Sequence, residues 1–353
     1  MTNVTPNITI VVPAYEAAAF IHPFFECLRH QTFHNFECVF VTDKKDDGTT
    51  IRAIEREKKD SDFFKVSLLF NPDSVGVGAS RDYALDHWNF QGDFVSFMDI
   101  DDCFADDFYL KLHERAVLDC ADITYCGYQR LDWKDHHIIA TEMVHNPPEI
   151  KDPVSDWRMV FLNPSPWNKL YRLSVIKDAR FIFPGGGEDG MFLLKVLPRC
   201  HKISFINEPL YFYYVNPLSL TSTTNTKLLE SGKNAALSLK EYQQRVYADC
   251  TPAYLTLIDT FVFMRIGIGQ TTRVCLANKH EKRQIIKTSR TFLDENFPRW
   301  RKSPLISFSA GVKRGPKVMM LWWCRSLYKR SQFGLFIFLY RAYTKMFKKD
   351  IKW

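Results

Sequence analysis

Residues 94–102 read Phe-Val-Ser-Phe-Met-Asp-Ile-Asp-Asp, an apolar run that ends in three carboxylates. The run has the length and composition of a buried β-strand. Three ionised carboxylates this close together repel one another, and the repulsion costs free energy unless a cation lies among them. Carboxylate oxygens suit Mg²⁺ or Mn²⁺, which proteins usually bind through one or two carboxylates together with substrate phosphates. The stretch therefore predicts a metal and diphosphate site at the end of a strand.

A solvated acidic turn that caps the next helix is the alternative, and Asp106 and Asp107 suit the same purpose. The surrounding series of elements favours a functional site, because apolar β-branched runs alternate with segments of helical spacing. The predicted strands are Ile8–Pro13, Phe36–Thr42, Val66–Phe70 and Asp93–Met98, and the predicted helices between them are Ala17–Gln31, Thr50–Lys59 and Val77–Trp88.

Repeated strand–helix units predict an α/β fold, in which a mostly parallel sheet carries helices on its faces. Ligands of such sheets bind outside the carboxyl ends of the strands, so the residues that follow each strand are the ones to inspect. These segments are Pro13–Glu16, Thr42–Gly48, Asn71–Gly76 and Asp99–Asp102, and three of the four are acidic or contain glycine. We expect all four to converge on one edge of the sheet.

A second acidic motif lies further along the chain. Residues 185–190 read Gly-Gly-Gly-Glu-Asp-Gly, and an apolar helical segment follows them. A glycine turn that presents Glu188 and Asp189 predicts a general base for a hydroxyl acceptor. The alternative is an acid pair in the first turn of a helix, which is a common use of such residues.

Two further motifs are candidates for binding. Residues 76–82 have the pattern of a helix N-terminus that meets phosphate, and Arg81 adds positive charge there. In Trp167-Asn-Lys169 the indole suits stacking on a sugar ring and the ammonium suits a phosphate. A core Trp beside a surface Lys is the alternative for that pair.

Composition limits the remaining possibilities. The chain has 353 residues, of which 46% are hydrophobic and 25% charged, so it is long enough for two domains and for a full core. Its nine cysteines contain no Cys-x-x-Cys pair, which disfavours metal fingers and disulfide scaffolds and favours a reducing compartment. The N-terminus lacks a basic segment before its apolar run, and Phe333–Tyr340 is too short to cross a membrane.

Three regions follow from the patterns. Residues 1–225 form the predicted α/β domain, with a nucleotide-binding half at about 1–102 and an acceptor half at about 103–225. Residues 226–298 form a helical region with helices at Leu228–Tyr247, Tyr254–Ala277 and Glu281–Phe297, whose apolar faces suit a homo-oligomer interface. Residues 299–353 form a basic, aromatic tail.

The tail is set apart by its charge. It holds 14 Lys and Arg residues and one acid, Asp350, so its net charge is +13. The whole chain has a net charge of +7, so the rest of the chain carries −6. Lys and Arg interleaved with Trp and Phe over residues 313–353 favour a helix that lies in an anionic membrane surface. A helical hairpin packed on the protein is the alternative. Charge alone also suits nucleic acid, but no nucleic-acid-binding motif accompanies it, so we expect no such partner.

Taken together and in order, these motifs resemble the GT-A-fold glycosyltransferases of family 2, a large group that builds bacterial surface polysaccharides. The resemblance covers residues 7–221. The matching segments are Pro13-Ala-Tyr15, the acidic turn Val41–Asp47, Asn71 followed by Ala79-Ser-Arg81-Asp82, Asp99-Ile-Asp101, Trp167–Tyr171, Glu188-Asp189 and the late element Tyr213–Thr221.

The resemblance implies that the chain binds a nucleotide-diphosphate sugar. Pro13, Tyr15 and Asp43 would line the pocket for the base, and Arg81 would lie near the base or the diphosphate. The remaining implied contacts to the nucleotide sugar come from Asn71, Trp167, Lys169 and Asp99, the last at the ribose.

The resemblance also implies the chemistry. Asp101, with Asp99 and Asp102, would hold Mn²⁺ or Mg²⁺ against the diphosphate. Asp189, with Glu188 beside it, would deprotonate the acceptor hydroxyl, which attacks the anomeric carbon as the nucleoside diphosphate leaves. One base and direct displacement imply inversion at that carbon.

Three positions depart from the family pattern. Glu16 stands where Asn is usual, and Thr42-Asp-Lys-Lys45 replaces Asp-Asp-Gly-Ser, so one acid is lost and two lysines are gained. Asn216 stands where many relatives have His. The first two departures bear on recognition of the base, and the third bears on a late metal ligand.

The sequence thus predicts an inverting, metal-dependent glycosyltransferase that extends a glycan. A UDP-sugar is the expected donor, and the resemblance implies a lipid-linked glycan as one type of acceptor. It would lie in the cytoplasm on the inner face of a bacterial cytoplasmic membrane. A nucleotidyltransferase is disfavoured, because Pro13–Glu16 offers no basic phosphate loop after the first strand. A catalytically degenerate nucleotide- or glycan-binding module is the remaining alternative.

Overall fold

The structure, a computed structural model, describes residues 5–44, 46–59, 64–73, 76–183, 186–187, 189–216, 226–247, 250–278 and 280–347. It divides into two compact units. The sheet unit comprises residues 1–153, 163–182 and 188–219, and the helical unit comprises residues 154–162, 183–187 and 220–353. The main division near residue 220 lies close to the predicted one, but the helical region and the basic tail form one unit instead of two.

The strands alternate with helices through the first part of the chain. The strands are β1 (Ile8–Pro13), β2 (Phe36–Asp43), β3 (Lys65–Asn71), β4 (Phe94–Phe97), β5 (Cys103–Phe104), β6 (Ile123–Asp132), β7 (Ile138–Glu142), β8 (Glu149–Lys151), β9 (Lys169–Arg172), β10 (Ile182–Phe183), β11 (Gly186–Gly187) and β12 (Lys202–Val215). The first six helices are α1 (Ala18–Arg29), α2 (Thr49–Lys58), α3 (Val77–His87), α4 (Phe108–Leu118), α5 (Leu173–Ile176) and α6 (Asp189–Val196).

The main sheet has the strand order β3-β2-β1-β4-β9-β6-β12-β5, with β7 paired to β6 and β8 paired to β12. Strands β1 to β4 are parallel, and β12 is parallel to β6. Strand β9 enters antiparallel between β4 and β6. The predicted α/β fold with a mostly parallel central sheet is therefore confirmed.

Burial on both faces explains the continuous apolar runs of the central strands. Every residue of β1 and β2 is buried, which is typical of parallel strands that helices cover on two sides. Helix α1 presents Ile21, Phe24, Phe25 and Leu28 to this core, at the spacing of one helical face. The Phe25 ring stacks on Phe40 of β2 with centroids 5.4 Å apart.

Two neighbours flank β1 in a way that defines a crevice. The chain moves outward from β1 to β2 and β3, then returns to place β4 on the other side of β1. At such a switch point the connections leave in opposite directions and open a crevice at the carboxyl ends of the strands. The acidic stretch after β4 lies at that crevice.

One disulfide joins helix α1 to the segment just after the acidic stretch. The Sγ atoms of Cys27 and Cys103 are bonded, and the other seven cysteines are free. The pair departs from the expectation of a reducing compartment. The bond ties the start of β5 to the helix that packs under β1.

The helical unit contains α7 (Thr226–Val246), α8 (Pro252–Val262), a π-helical segment (Phe263–Gln270), α9 (Thr271–Ala277), α10 (Lys282–Asn296), α11 (Phe308–Arg314), α12 (Pro316–Lys329) and α13 (Phe333–Phe347). The predicted helix at 254–277 is thus a continuous helical run whose middle has π geometry. The apolar residues of α7 and α8 are largely buried in this unit.

The tail packs on these helices. Trp300 is fully buried and stacks on Phe263 with ring centroids 4.8 Å apart, and the Tyr328 hydroxyl donates to the Gly267 carbonyl. Phe333 packs on Tyr328 and so brings α13 to the same core. Within the described ranges, no helix has the length and apolarity to cross a membrane.

Candidate functional site

The parallel pairing brings the predicted strand ends to one edge of the sheet. Asp43 at the end of β2 lies opposite Asn71 at the end of β3, and Pro13 at the end of β1 lies opposite Val41. Pro13 is buried, and Asp43 and Asn71 are 5% exposed each. The Asn71 side-chain oxygen accepts the Asp73 backbone N–H at 3.0 Å and so shapes the turn after β3.

Tyr15 presents an exposed aromatic ring at this edge. Its side chain is 47% exposed, and its hydroxyl donates to a Glu16 carboxylate oxygen at 2.7 Å. This hydrogen bond is the main reason that the pKa of Tyr15 is raised. An exposed ring beside buried Pro13 suits stacking of a planar base.

Asp46 organises the loop after β2, in which the sequence departs from the pattern that it resembles, and the sequence motifs did not single this residue out. One of its carboxylate oxygens accepts the Glu16 backbone N–H at 3.2 Å, and the other accepts the Gly48 N–H at 2.8 Å. The carboxylate therefore ties the loop after β2 to the end of β1. Lys45, one of the two lysines gained here, lies outside the described residues.

Arg81 lies beneath Asp99. The arginine is fully buried, its guanidinium donates to an Asp99 carboxylate oxygen at 2.6 Å, and its carbon Cζ lies 5.0 Å from the centre of the Phe181 ring. The Asp99 side chain is 27% exposed, so one part of it faces outward while the other is held from below. A buried arginine positions the carboxylate that it contacts, because moving that carboxylate leaves an unpaired buried charge.

Asp102 has a different position from that predicted for a metal ligand. It is 4% exposed, and its two carboxylate oxygens accept the Tyr211 hydroxyl at 2.6 Å and the Tyr214 backbone N–H at 3.0 Å. Burial is the first cause of its strongly raised pKa, with Asp99 and Asp101 adding to it. We therefore assign Asp102 a structural role instead of a role as metal ligand. It fixes the acidic stretch to β12.

Asp101 is the carboxylate that this arrangement leaves for a cation. It is half-buried, and it forms no ion pair with any residue that the structure describes. Burial raises its pKa, as expected for a carboxylate without a cationic partner. A hard divalent cation fits these residues, since Asp101 offers an uncompensated carboxylate beside partly exposed Asp99 and such ions take further oxygens from phosphates.

A second acidic group lies away from this edge. In the described ranges, one set of three His, Cys, Asp or Glu side chains brings its potential metal-ligand atoms within 4.8 Å of one another. It consists of Asp132, Asp135 and His137. They belong to the turn between β6 and β7. The three carboxylates of the acidic stretch do not form such a cluster by themselves.

Trp167 and Lys169 are not placed for the predicted contacts with the nucleotide sugar. Trp167 is 6% exposed and stacks on Tyr211 with ring centroids 4.4 Å apart. Lys169 is fully buried, its ammonium donates to the side-chain oxygen of Asn168 at 2.7 Å, and it lies 4.2 Å from the centre of the Tyr125 ring. Burial therefore corrects both assignments: the pair belongs to the core, and the lysine is internal instead of superficial.

The motif of the predicted general base is only partly included in the described residues. Glu188 is outside the described residues, and Asp189 is the first residue of α6, with its side chain outside the description. Helix α6 itself is firmly seated, because Phe192 is fully buried and stacks on Phe181 at 3.8 Å. In the late element, Asn216 is described and Ser219 and Thr221 are not.

The order of strands, the crevice beside β1 and the carboxylates after β4 together define the GT-A fold. Residues 9–180 match the model of glycosyl transferase family 2, and this part of the chain belongs to that family. The chain is similar to the putative glycosyltransferase EpsH of Bacillus subtilis, with 27% identity over 75% of this chain and 76% of the relative.

Two solved structures share the fold. Residues 1–349 of S. aureus TarS, in complex with UDP-GlcNAc, align with a TM-score of 0.68 and 18% identity over 96% of this chain and 92% of that one. The mannosyltransferase PcManGT of Pyrobaculum calidifontis, in complex with GDP-Man and Mn²⁺, aligns with a TM-score of 0.52 and 13% identity over 99% and 89% of the two chains. At these identities the likeness establishes the fold.

Proposed function

We propose that the chain is an inverting, metal-dependent glycosyltransferase that moves a hexosyl or N-acetylhexosaminyl group from a nucleotide-diphosphate sugar to a hydroxyl of a glycan in bacterial surface polysaccharide synthesis. The observation that carries the proposal is the pair of carboxylates after β4: Asp99 is held by buried Arg81, and Asp101 has no cationic partner in the part of the chain that the structure describes. A site that leaves a half-buried carboxylate uncompensated suits a ligand that brings positive charge.

The donor would lie across the edge of the sheet. Tyr15 and Pro13 would contact the base, Asp43 and Asn71 would line its pocket, and Asp99 would face the ribose. Asp101, with Asp99 beside it, would hold Mn²⁺ or Mg²⁺. The metal, when bound, neutralises negative charge that develops on the leaving diphosphate. UDP is proposed first, in line with the family and with the UDP-GlcNAc complex of the structural neighbour.

The acceptor would react from the side of α6. Asp189 would take the proton of the acceptor hydroxyl, and the oxygen would form its bond to the anomeric carbon as the bond to the diphosphate breaks. A carboxylate within hydrogen-bond reach of a hydroxyl can accept its proton as a general base. Attack opposite the leaving group inverts the anomeric configuration.

Release of nucleoside diphosphate tests this function. The protein is incubated with UDP-GlcNAc, UDP-glucose, UDP-galactose and GDP-mannose, each with Mn²⁺ or with EDTA, and with a panel of oligosaccharide acceptors. We expect one donor to be consumed only with metal and an acceptor, and the new linkage to have the inverted anomeric configuration by NMR. Release that is equally fast in EDTA, or no release from any donor, would contradict the proposal.

We also propose that the enzyme works as a peripheral protein on the inner face of the bacterial cytoplasmic membrane. Helix α13 exposes a stripe of apolar side chains, while Phe333, Phe336, Ile337 and Tyr340 are buried in the unit. The stripe consists of Leu335 (49% exposed), Phe338 (65%), Leu339 (44%) and Tyr343 (38%). Three exposed basic residues lie on this helix or just before it, namely Lys329, Arg330 and Arg341. Apolar and basic side chains in this combination suit an anionic lipid surface and so a lipid-linked acceptor.

Replacing both Phe338 and Leu339 by Ser should weaken binding to vesicles of phosphatidylglycerol and phosphatidylcholine by about tenfold or more, because two apolar side chains no longer leave water. Co-sedimentation with vesicles measures the effect. The matched control is the double variant Val117→Ser with Leu118→Ser, which removes exposed apolar side chains from α4 in the sheet unit. Equal binding by both variants would contradict a membrane role for α13.

A further inference from the structure

A short segment, Arg180–Ile182, is held along helix α3 by contacts that the proposed chemistry does not use. Its backbone N–H groups at Phe181 and Ile182 donate to the two carboxylate oxygens of Asp82, at 2.6 and 2.7 Å. One turn earlier on α3, Gly78 lies so close that an added Cβ would be 3.2 Å from the Ile182 side chain. The segment therefore follows the surface of α3 with little freedom.

Lys195 binds the same segment through its backbone carbonyl groups, whereas Asp82 binds its N–H groups. The lysine is 1% exposed, and its ammonium donates to the carbonyl oxygens of Arg180 at 2.9 Å and Phe181 at 3.5 Å. Two backbone donors are thus bound to Asp82 and two backbone acceptors to Lys195. Burying a carboxylate and an ammonium is costly, and burial shifts their pKa values to about 6 and about 8 respectively.

We call Asp82, Lys195 and the backbone of Arg180–Ile182 the clamp. The clamp lies next to the helix that begins at the proposed base. Residues 183–188 follow the segment directly and lead to Asp189, the first residue of α6, and Lys195 lies on that same helix. Phe181 itself lies between the guanidinium of Arg81 and the Phe192 ring of α6. Arg81 also forms the ion pair with Asp99 described above, a contact separate from those that Asp82 and Lys195 make with the segment.

We propose that Asp82 and Lys195 are positioning residues that fix Arg180–Ile182 to α3 and to α6, the helix that begins at Asp189, so that attack by the acceptor depends on them while donor binding does not. The inference rests on the proposed function, since it needs Asp189 to act as the base. Both residues contact the backbone of Arg180–Ile182 and act through it.

The test compares Asp82→Ala and Lys195→Met with Asp86→Ala. Asp86 lies on the same helix and also contacts the segment, through a surface ion pair with Arg180 at 2.6 Å, and exposed pairs of this kind contribute little. We expect the first two variants to lower kcat for sugar transfer by about 10- to 100-fold and to keep the Kd for UDP with Mn²⁺ within about twofold. Asp86→Ala should leave both quantities unchanged.

Asp82→Asn guards against a variant that merely fails to fold, because it keeps one oxygen that can accept an N–H, and it should fall between wild type and Asp82→Ala. Hydrogen exchange over residues 180–192 is the readout that needs no turnover, and we expect it to be about tenfold faster in Asp82→Ala. Faster exchange with an unchanged kcat, or a loss of UDP affinity that matches the loss of kcat, would overturn the proposal. A wild-type protein without turnover would instead contradict the proposed function, and exchange would still report on the clamp.

Discussion

Asp101→Asn should lower kcat for sugar transfer by about 100-fold or more and abolish the dependence on Mn²⁺. Among the described residues, Asp101 is the carboxylate of the acidic stretch that forms neither an ion pair nor a hydrogen bond with another side chain. An amide has nearly the same shape but no charge to hold a divalent cation. Loss of one interaction that stabilises charge on a leaving group typically costs 10²- to 10³-fold in rate.

Asp106→Asn is the matched control for this change. Asp106 is an exposed acid in the same segment, five residues further on. Initial rates of nucleotide release over a series of Mn²⁺ concentrations separate the two variants. If Asp101→Asn kept the wild-type response to metal, the assignment of the metal to Asp101 would be wrong.

Asp189→Asn should lower kcat by about 10²- to 10⁴-fold while the Kd for the donor stays close to that of wild type. A general base contributes rate enhancement of this size, and it acts on the acceptor and not on the bound nucleotide. The variant should also lose the decline in kcat at acidic pH that protonation of a catalytic carboxylate produces. Steady-state kinetics over a pH series, with titration of UDP and Mn²⁺ as the binding measurement, checks both effects.

Glu188→Gln is the comparison for this second change, because the two acids are adjacent and the resemblance includes both. We expect the smaller loss from Glu188→Gln, with the pH profile retained. A larger loss from Glu188→Gln, together with a normal pH profile in Asp189→Asn, would transfer the role of base to Glu188.

The fold of the first hundred residues was predictable because its signals are local. The predicted strand Ile8–Pro13 has the observed bounds, and the strand at 36–42 and the helix at 77–88 differ from β2 and α3 by one residue each. Parallel strands that are buried on both faces appear in the sequence as uninterrupted apolar runs. They can therefore be recognised without knowing which face of the strand is buried. The convergence of Asp43 and Asn71 then follows from parallel pairing alone.

The errors concern contacts between distant parts of the chain. Lys169 looks like a surface residue in sequence, but its ammonium lies over the ring of Tyr125, which strand β6 brings to it from 44 positions earlier in the chain. Asp102 looks like a third metal ligand until Tyr211, 109 residues later, is seen to donate to it. No local pattern records such a partner.

The clamp and the tail show the same limit. Asp82 contacts residues about a hundred positions away, and in the family motif it looked like one member of a phosphate-binding helix. The tail was characterised by its composition, which does not reveal that Tyr328 and Phe333 are buried against the rest of the helical unit. Long-range packing decides both cases.

The most direct test of a metal-dependent nucleotide-sugar site is thermal stability in the presence of nucleoside diphosphates, with and without Mn²⁺. A ligand that binds only the folded state stabilises it by about 2.7 kcal/mol at a concentration one hundred times its Kd. We predict that one nucleoside diphosphate, UDP first, raises the Tm of the wild-type protein only with Mn²⁺ and leaves the Tm of Asp101→Asn unchanged. A protein whose Tm no nucleotide changes, or whose rise in Tm persists without metal and in Asp101→Asn, would contradict the account.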